Sequence, residues 1–229
     1  MRKITKKLRM LVLFFGAMLL ASCGSSPDAM ESTQTAQPSQ LSSSVTEPNE
    51  ANEASNTLVV FFSRTGEQYN VGVIDKGNTA IVADMIVEAI NADSFEIIPE
   101  EDYYPYTYDE LIEVAKKEQD ENARPAYAPK APDFAQYDTI FFGSPVWWGD
   151  LPMICYTFLE DNATALAGKT LIPFSTHGGS GLAGFDSKLS SICPDSLVKD
   201  GLAIAGVDAQ KNQENVRISV DNWLQGLGY

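Results

Sequence analysis

Thr57-Leu-Val-Val-Phe-Phe-Ser63, followed at once by Arg64-Thr65-Gly66, is the stretch on which the fold turns. Leu58 to Phe62 carry no polar side chain, so neither side of this segment is built to face water. A continuous apolar run of that length is the pattern of a strand covered on both faces, as in a parallel sheet. Downstream the pattern alternates. Asn78 to Ala92 places Ile81, Met85, Ile86, Ala89 and Ile90 on one helical stripe. Ser94 to Ile98 reads as a short strand ended by Pro99, and Tyr108 to Asn122 as a charged amphipathic helix. Strands at Asp138 to Gly143, Lys169 to Ser175 and Gly201 to Gly206 then alternate with helices at Met153 to Glu160, Phe185 to Ile192 and Gln213 to Leu227. Five apolar strands interleaved with five helices predict one α/β domain, a doubly wound parallel sheet with helices on both faces. In such a sheet a ligand sits beyond the carboxyl ends of the strands, where the winding reverses. The loops after the first, third and fourth strands are therefore the informative ones.

Upstream of Thr57 the composition changes twice. Five of the 16 basic residues (Arg2, Lys3, Lys6, Lys7, Arg9) lie in the first nine positions, and an apolar run from Met10 to Leu20 follows. This is the layout of a secretory signal over residues 1–22, its core too short for a comfortable membrane span. Leu20-Ala21-Ser22-Cys23 resembles the bacterial lipoprotein box, which implies lipidation of Cys23 and a mature chain anchored by acyl groups outside the cytoplasm. From Gly24 to Asn56 come Ser, Thr, Gln, Asn, Pro and Glu with no aromatic and no basic residue, so residues 23–56 are expected to be a tether and 57–229 the folded domain.

The chain of 229 residues, 44% hydrophobic and 21% charged, is neither collagen-like nor disulfide-dense nor wholly disordered. Its net charge of −15 repels phosphate backbones, which argues against a nucleic-acid partner. Cys155 and Cys193 are compatible with a disulfide or, given their apolar contexts, with two separate buried thiols. Acidic runs such as Glu100-Glu101-Asp102 and Glu118 to Glu121 read as solvated faces.

Three loops carry candidate chemistry. Ser63-Arg64-Thr65-Gly66, and after an interruption Gly77-Asn78-Thr79 opening a helix, offer hydroxyls, close backbone approach and a helix N-terminus, which together suit a phosphate. A plain turn at Thr65-Gly66 with an N-cap at Asn78 fits the same residues. Gly143-Ser144-Pro145-Val146-Trp147-Trp148-Gly149 places two indoles on a loop, where they suit a flat aromatic ligand, although one of the pair can serve the core instead. Thr176-His177-Gly178-Gly179-Ser180-Gly181 presents a row of amides able to donate to a heterocycle. His177 is the only histidine, and a structural loop role is its default.

In this order, the first loop, P-V-W-W-G and T-H-G-G-S-G resemble the flavodoxin-like FMN-binding proteins, and the similarity covers about Leu58 to Gly228. The resemblance implies five parallel strands in the order 2-1-3-4-5. It implies that Ser63, Thr65, Gly66, Asn78 and Thr79 hold the FMN phosphate. Pro145, Val146, Trp147, Trp148 and Gly149 would border the isoalloxazine, while Thr176, His177, Gly178, Gly179, Ser180 and Gly181 line its pyrimidine edge. The chain departs from the shorter members at Glu67 to Gly77, which separates the two halves of the phosphate loop and brings Tyr69 and Asn70 into consideration.

Other motifs fail on their own terms. Gly168-Lys169-Thr170 lacks the earlier glycine of a nucleotide-binding loop and precedes a strand where it should follow one. No G-x-S-x-G elbow accompanies His177, and no Cys/His cluster has zinc spacing, so no catalytic or metal-binding residue is assigned. Three functions remain: an electron carrier serving a redox partner protein or small acceptor, an FMN-dependent reductase passing hydride from a nicotinamide to a quinone, and a non-catalytic surface module. The first leads, with the membrane reached only through the lipid.

Overall fold

Leu58, Val60 and Phe62 belong to one hydrophobic cluster, whereas Val59 and Phe61 belong to another. The first strand, β1 (Thr57–Phe62), is thus buried on both faces, and the period of two along an extended chain is what divides it. The structure is a computed structural model and describes residues 56–229 except Asp102. Cys23, the signal segment and most of the tether lie outside the described residues.

Beyond β1 come β2 (Gly66–Gln68), β3 (Gly72–Ile74), α1 (Asn78–Ile90), β4 (Asp93–Pro99), α2 (Tyr108–Glu121), β5 (Tyr127–Ala128) and, after a 3₁₀ turn, β6 (Thr139–Pro145). Then follow α3 (Met153–Leu166), β7 (Thr170–His177), α4 (Phe185–Ile192), β8 (Leu197–Val198), β9 (Leu202–Ala205), α5 (Gly206–Lys211) and α6 (Gln213–Leu227). The main sheet runs β5-β4-β1-β6-β7-β8, and β9 also pairs with β7. The expected 2-1-3-4-5 order is present in its parallel part. The differences are a two-residue antiparallel edge strand, β5, and a last strand divided into β8 and β9.

One face is covered by α2, α3 and α4, which contribute Leu111, Ile154, Phe158, Phe185 and Leu189 to its cluster. The other lies under α1, α5 and α6, through Val82, Ile86, Ala209, Val216, Val220 and Leu224. Asn91 and Asn122 take left-handed conformations just past α1 and α2, a position that suits their short polar side chains. Cys155 and Cys193 are separate buried thiols.

Within Glu67 to Gly77, the stretch that separates the two halves of the loop, β2 and β3 pair as a small antiparallel hairpin. One expectation changes. The run from Glu118 to Glu121 is not a solvated face throughout, because Glu118 is 3% exposed. Leu111, Ala115 and Glu118 fall at spacings of four and three on the buried stripe of α2, so helical period overrides local charge.

Candidate functional site

At the start of α1 the chain solves a capping problem from a distance. The residue before the helix is Gly77, which has no side chain to accept from the first amides, and Ser63 Oγ at the end of β1 accepts from Ala80 N at 3.0 Å. A Cβ on Gly77 would lie 2.1 Å from Ser63 Oγ and 2.7 Å from the Arg64 carbonyl oxygen, so only glycine lets the two segments approach. Thr79 and Thr176 share a buried hydroxyl–hydroxyl hydrogen bond of 2.8 Å that ties α1 to the end of β7. Asn78 Oδ1 accepts from Gln210 on α5.

The hairpin is fixed to the segment before α2. Glu67 N donates to the Tyr106 carbonyl at 3.0 Å, and the Glu67 carboxylate accepts from Tyr108 N, placing a negative charge at the N-terminus of α2. Arg64 donates to the carbonyls of Glu67 and Pro105, and burial lowers its pKa against the opposing pull of Glu67. Tyr69, at the hairpin tip, packs 5.6 Å from the Tyr108 ring, and a Cβ on Gly178 would come within 2.6 Å of it.

After β6 the ladder continues as Val146 N donates to the Thr176 carbonyl, and then Trp147 and Asp150 exchange backbone hydrogen bonds across a tight turn. Both central residues have positive φ, +51° at Trp148 and +74° at Gly149. Glycine adopts this backbone freely; a large aromatic residue held there is strained by about 1–2 kcal/mol. The turn separates the two indoles. Trp147 stands edge-on to Phe62 and Tyr104, with centroids 5.5 and 5.0 Å away. Trp148 is 53% exposed, and its Nε1 donates to the Ile112 carbonyl on α2.

After β7, His177 Nδ1 accepts from Gly179 N at 3.0 Å, which requires that nitrogen to be unprotonated. Burial lowers the His177 pKa, and Asp208 on α5 opposes the shift. One amide of the expected donor row is therefore used inside the loop. Gly181 also supplies a carbonyl that accepts from Ser175 Oγ.

These segments enclose a cavity of about 320 Å³ at the carboxyl rim of the sheet. Of the expected residues it is lined by Asn78, Pro145, Val146, Trp147, Trp148, Gly149, Thr176, His177, Gly178 and Ser180. Thr79, Gly179 and Gly181 do not line it and instead hydrogen-bond within the surrounding segments, to Thr176, His177 and Ser175. Ser63 and Thr65 instead line a second cavity with Arg64, Glu96 and Tyr104, and Gly66 opens the hairpin. Their separation follows from the chain turning away at Gly66 and returning only at Gly77. Sequence reading did not find the α2 wall of Tyr108, Leu111, Ile112 and Ala115, because those residues read as an ordinary helical stripe. Rigid aromatic walls, a helix N-terminus and few charges form a lining that fits a flat aromatic nucleotide. Among the described residues no cluster of His, Cys, Asp and Glu could hold a metal ion, and no helix is long and apolar enough to cross a membrane.

Several solved structures are similar to this chain. A crystal structure described as a flavoprotein from Bacteroides uniformis is 29% identical, covering 76% of this chain and 99% of its own, with a TM-score of 0.57. A second such protein, from Bacteroides eggerthii, is also 29% identical, covering 72% and 96% with a TM-score of 0.54. A flavoprotein in complex with FMN from Lactobacillus acidophilus shares the fold at 21% identity, covering 69% and 96% with a TM-score of 0.53. Among curated proteins none matches. The family model described as Flavodoxin matches residues 68–224, from the hairpin to α6. The chain belongs to the flavodoxin family.

Proposed function

We propose that this protein is an FMN-carrying electron-transfer protein held by lipid on the outer side of a bacterial cell membrane. FMN is its cofactor, and when bound it supplies the electron chemistry, leaving the protein to bind, orient and tune it. The observation that carries this reading is the cavity itself: Trp148, strained and exposed, and Tyr69 both line it, with Asn78 at the start of α1 and Thr176 near the end of β7. The phosphate end meets Asn78 at the start of α1, with the hairpin as an enlargement of the phosphate loop, whereas the Ser63 and Thr79 hydroxyls are engaged by Ala80 N and Thr176 and act by holding the helix start in place. Pro145 to Gly149 border the ring, and Thr176 to Gly181 meet its pyrimidine edge.

A carrier is favoured over a reductase by space. About 320 Å³ is at the lower end of ligand sites, enough for one planar group. Tyr69 lies directly against Gly178, so a nicotinamide would find the second face already covered. The membrane anchor rests on Leu20-Ala21-Ser22-Cys23. The redox partner is a protein or small acceptor met in solution, not a nucleic acid.

Absorbance of the purified protein, followed by extraction and identification of its chromophore, tests the cofactor. A folded but colourless protein that ignores added FMN rejects the proposal. Rapid turnover of NADH with a quinone would establish the reductase in its place. Replacing Cys23 by Ala should release the protein from membranes.

A further inference from the structure

α2 buries Leu111, Ala115 and Glu118 on one stripe. The first two line the cofactor cavity, and the third is a carboxylic acid one turn further along. Its setting is unusual for an acid. The Tyr104 hydroxyl donates to Glu118 Oε2 at 3.2 Å, while Oε1 is the one buried side-chain oxygen without a hydrogen-bond partner among the described residues. None of the ion pairs among the described residues includes it. A buried charge with neither a cation nor a full set of donors is disfavoured, so burial pushes the Glu118 pKa up, with the Tyr103 and Tyr104 hydroxyls pulling weakly the other way.

Glu118 is also wired to the cavity. The Tyr104 ring that bonds it stands edge-on to Trp147 at 5.0 Å, and Trp147 is a cavity wall. Tyr103, half-exposed, stands edge-on to Tyr104 with ring centroids 4.9 Å apart. The remaining titratable groups facing this pair are few. Glu121 on α2 acts on Tyr103. Cys155 on α3 faces Tyr104, and its own burial keeps the thiol uncharged.

We propose that Glu118 is a redox-linked proton site: as one electron enters the cofactor from an external one-electron donor, one proton from solvent binds the Glu118 carboxylate. The inference rests on the FMN reading above. No bond in the protein breaks. The electron adds one negative charge in the cavity and the proton removes one at Glu118, so the interior gains no net charge. Linkage makes the effect reciprocal: reduction raises the proton affinity of Glu118, and ionised Glu118 lowers the reduction potential.

The test is the midpoint potential of the FMN-loaded protein as a function of pH, titrated with dithionite, for wild type, Glu118→Gln and Tyr104→Phe. The wild-type potential should fall with rising pH between the pKa values of Glu118 in the oxidised and reduced protein. That segment should be lost in Glu118→Gln. Tyr104→Phe, which removes a donor to the ionised form, should move it to higher pH. A second readout needs no cofactor: infrared spectra of the apoprotein should contain a protonated-carboxyl band, persisting above the usual carboxylate range, that Glu118→Gln removes. A loaded protein whose curves superimpose in all three forms overturns the linkage alone, as does the absence of the band. A folded protein that takes up no FMN defeats the cofactor reading and the linkage with it.

Discussion

Trp147 and Trp148 are adjacent in sequence and opposite in role. Trp147 contributes its ring to a cluster with Phe62 and Tyr104, whereas Trp148 pays backbone strain to stand at the rim. Trp147→Ala should therefore cost about 2–3 kcal/mol of stability in urea unfolding, somewhat below the loss for a fully buried aromatic residue. Trp148→Gly relieves the left-handed strain and loses one hydrogen bond, two effects of about 1 kcal/mol each that oppose, so stability should change by less than about 1 kcal/mol. Its FMN affinity should nevertheless fall roughly fivefold, the worth of about 1 kcal/mol of stacking, in a flavin titration. Equal effects on folding and binding in both variants would contradict this division.

His177 supplies a pH-dependent term at the same scale. Its folded pKa lies below its ordinary value, so the folded chain binds that proton more weakly than the unfolded chain. The stability it contributes is present above the ordinary histidine pKa and lost as pH falls through the folded value. His177→Gln should remove that part of the acid sensitivity, seen as a smaller loss between pH 7 and pH 5 in paired urea curves.

Among elements, the junction of α1 with β7 depends on the hydroxyl pair Thr79–Thr176. Thr79→Val keeps the volume but leaves the Thr176 hydroxyl buried without its partner, which should cost about 1–3 kcal/mol. The double variant Thr79→Val/Thr176→Val, with neither hydroxyl present, should recover part of that loss. The hairpin is the other decisive element. Glu67 and Arg64 fasten it to the approach to α2, and that anchoring is what carries Tyr69 across to Gly178.

For the whole molecule, the dominant physical quantity is negative charge, −15 over the chain. Such a field attracts a cationic protein over roughly a Debye length, about 8 Å at physiological salt, and a basic carrier protein such as cytochrome c is the probe for it. Association measured by stopped flow should slow markedly as ionic strength rises from about 0.01 to 0.15 M, as expected for steered encounters. A salt-independent rate would exclude electrostatic steering.

Local pattern alone determined a large share of this protein. An uncharged run at Leu58 to Phe62 has only one comfortable place, between two layers of helices, and the alternation after it leaves little choice of architecture. The three loops were legible because Gly, Pro and adjacent indoles interrupt that pattern. What only tertiary structure decided are relations between distant segments. Sequence could not assign Trp147 to packing against Phe62 and Tyr104 and Trp148 to the exposed rim, since both precede the same glycine and the turn's φ angles make the choice. Nor could it fold Glu67 to Gly77 into a hairpin, place Tyr69 on Gly178, or bury Glu118 within an acidic run. The reason is physical: periodicity fixes which way a residue faces along its own element, but burial and hydrogen bonding depend on what the rest of the chain brings opposite it.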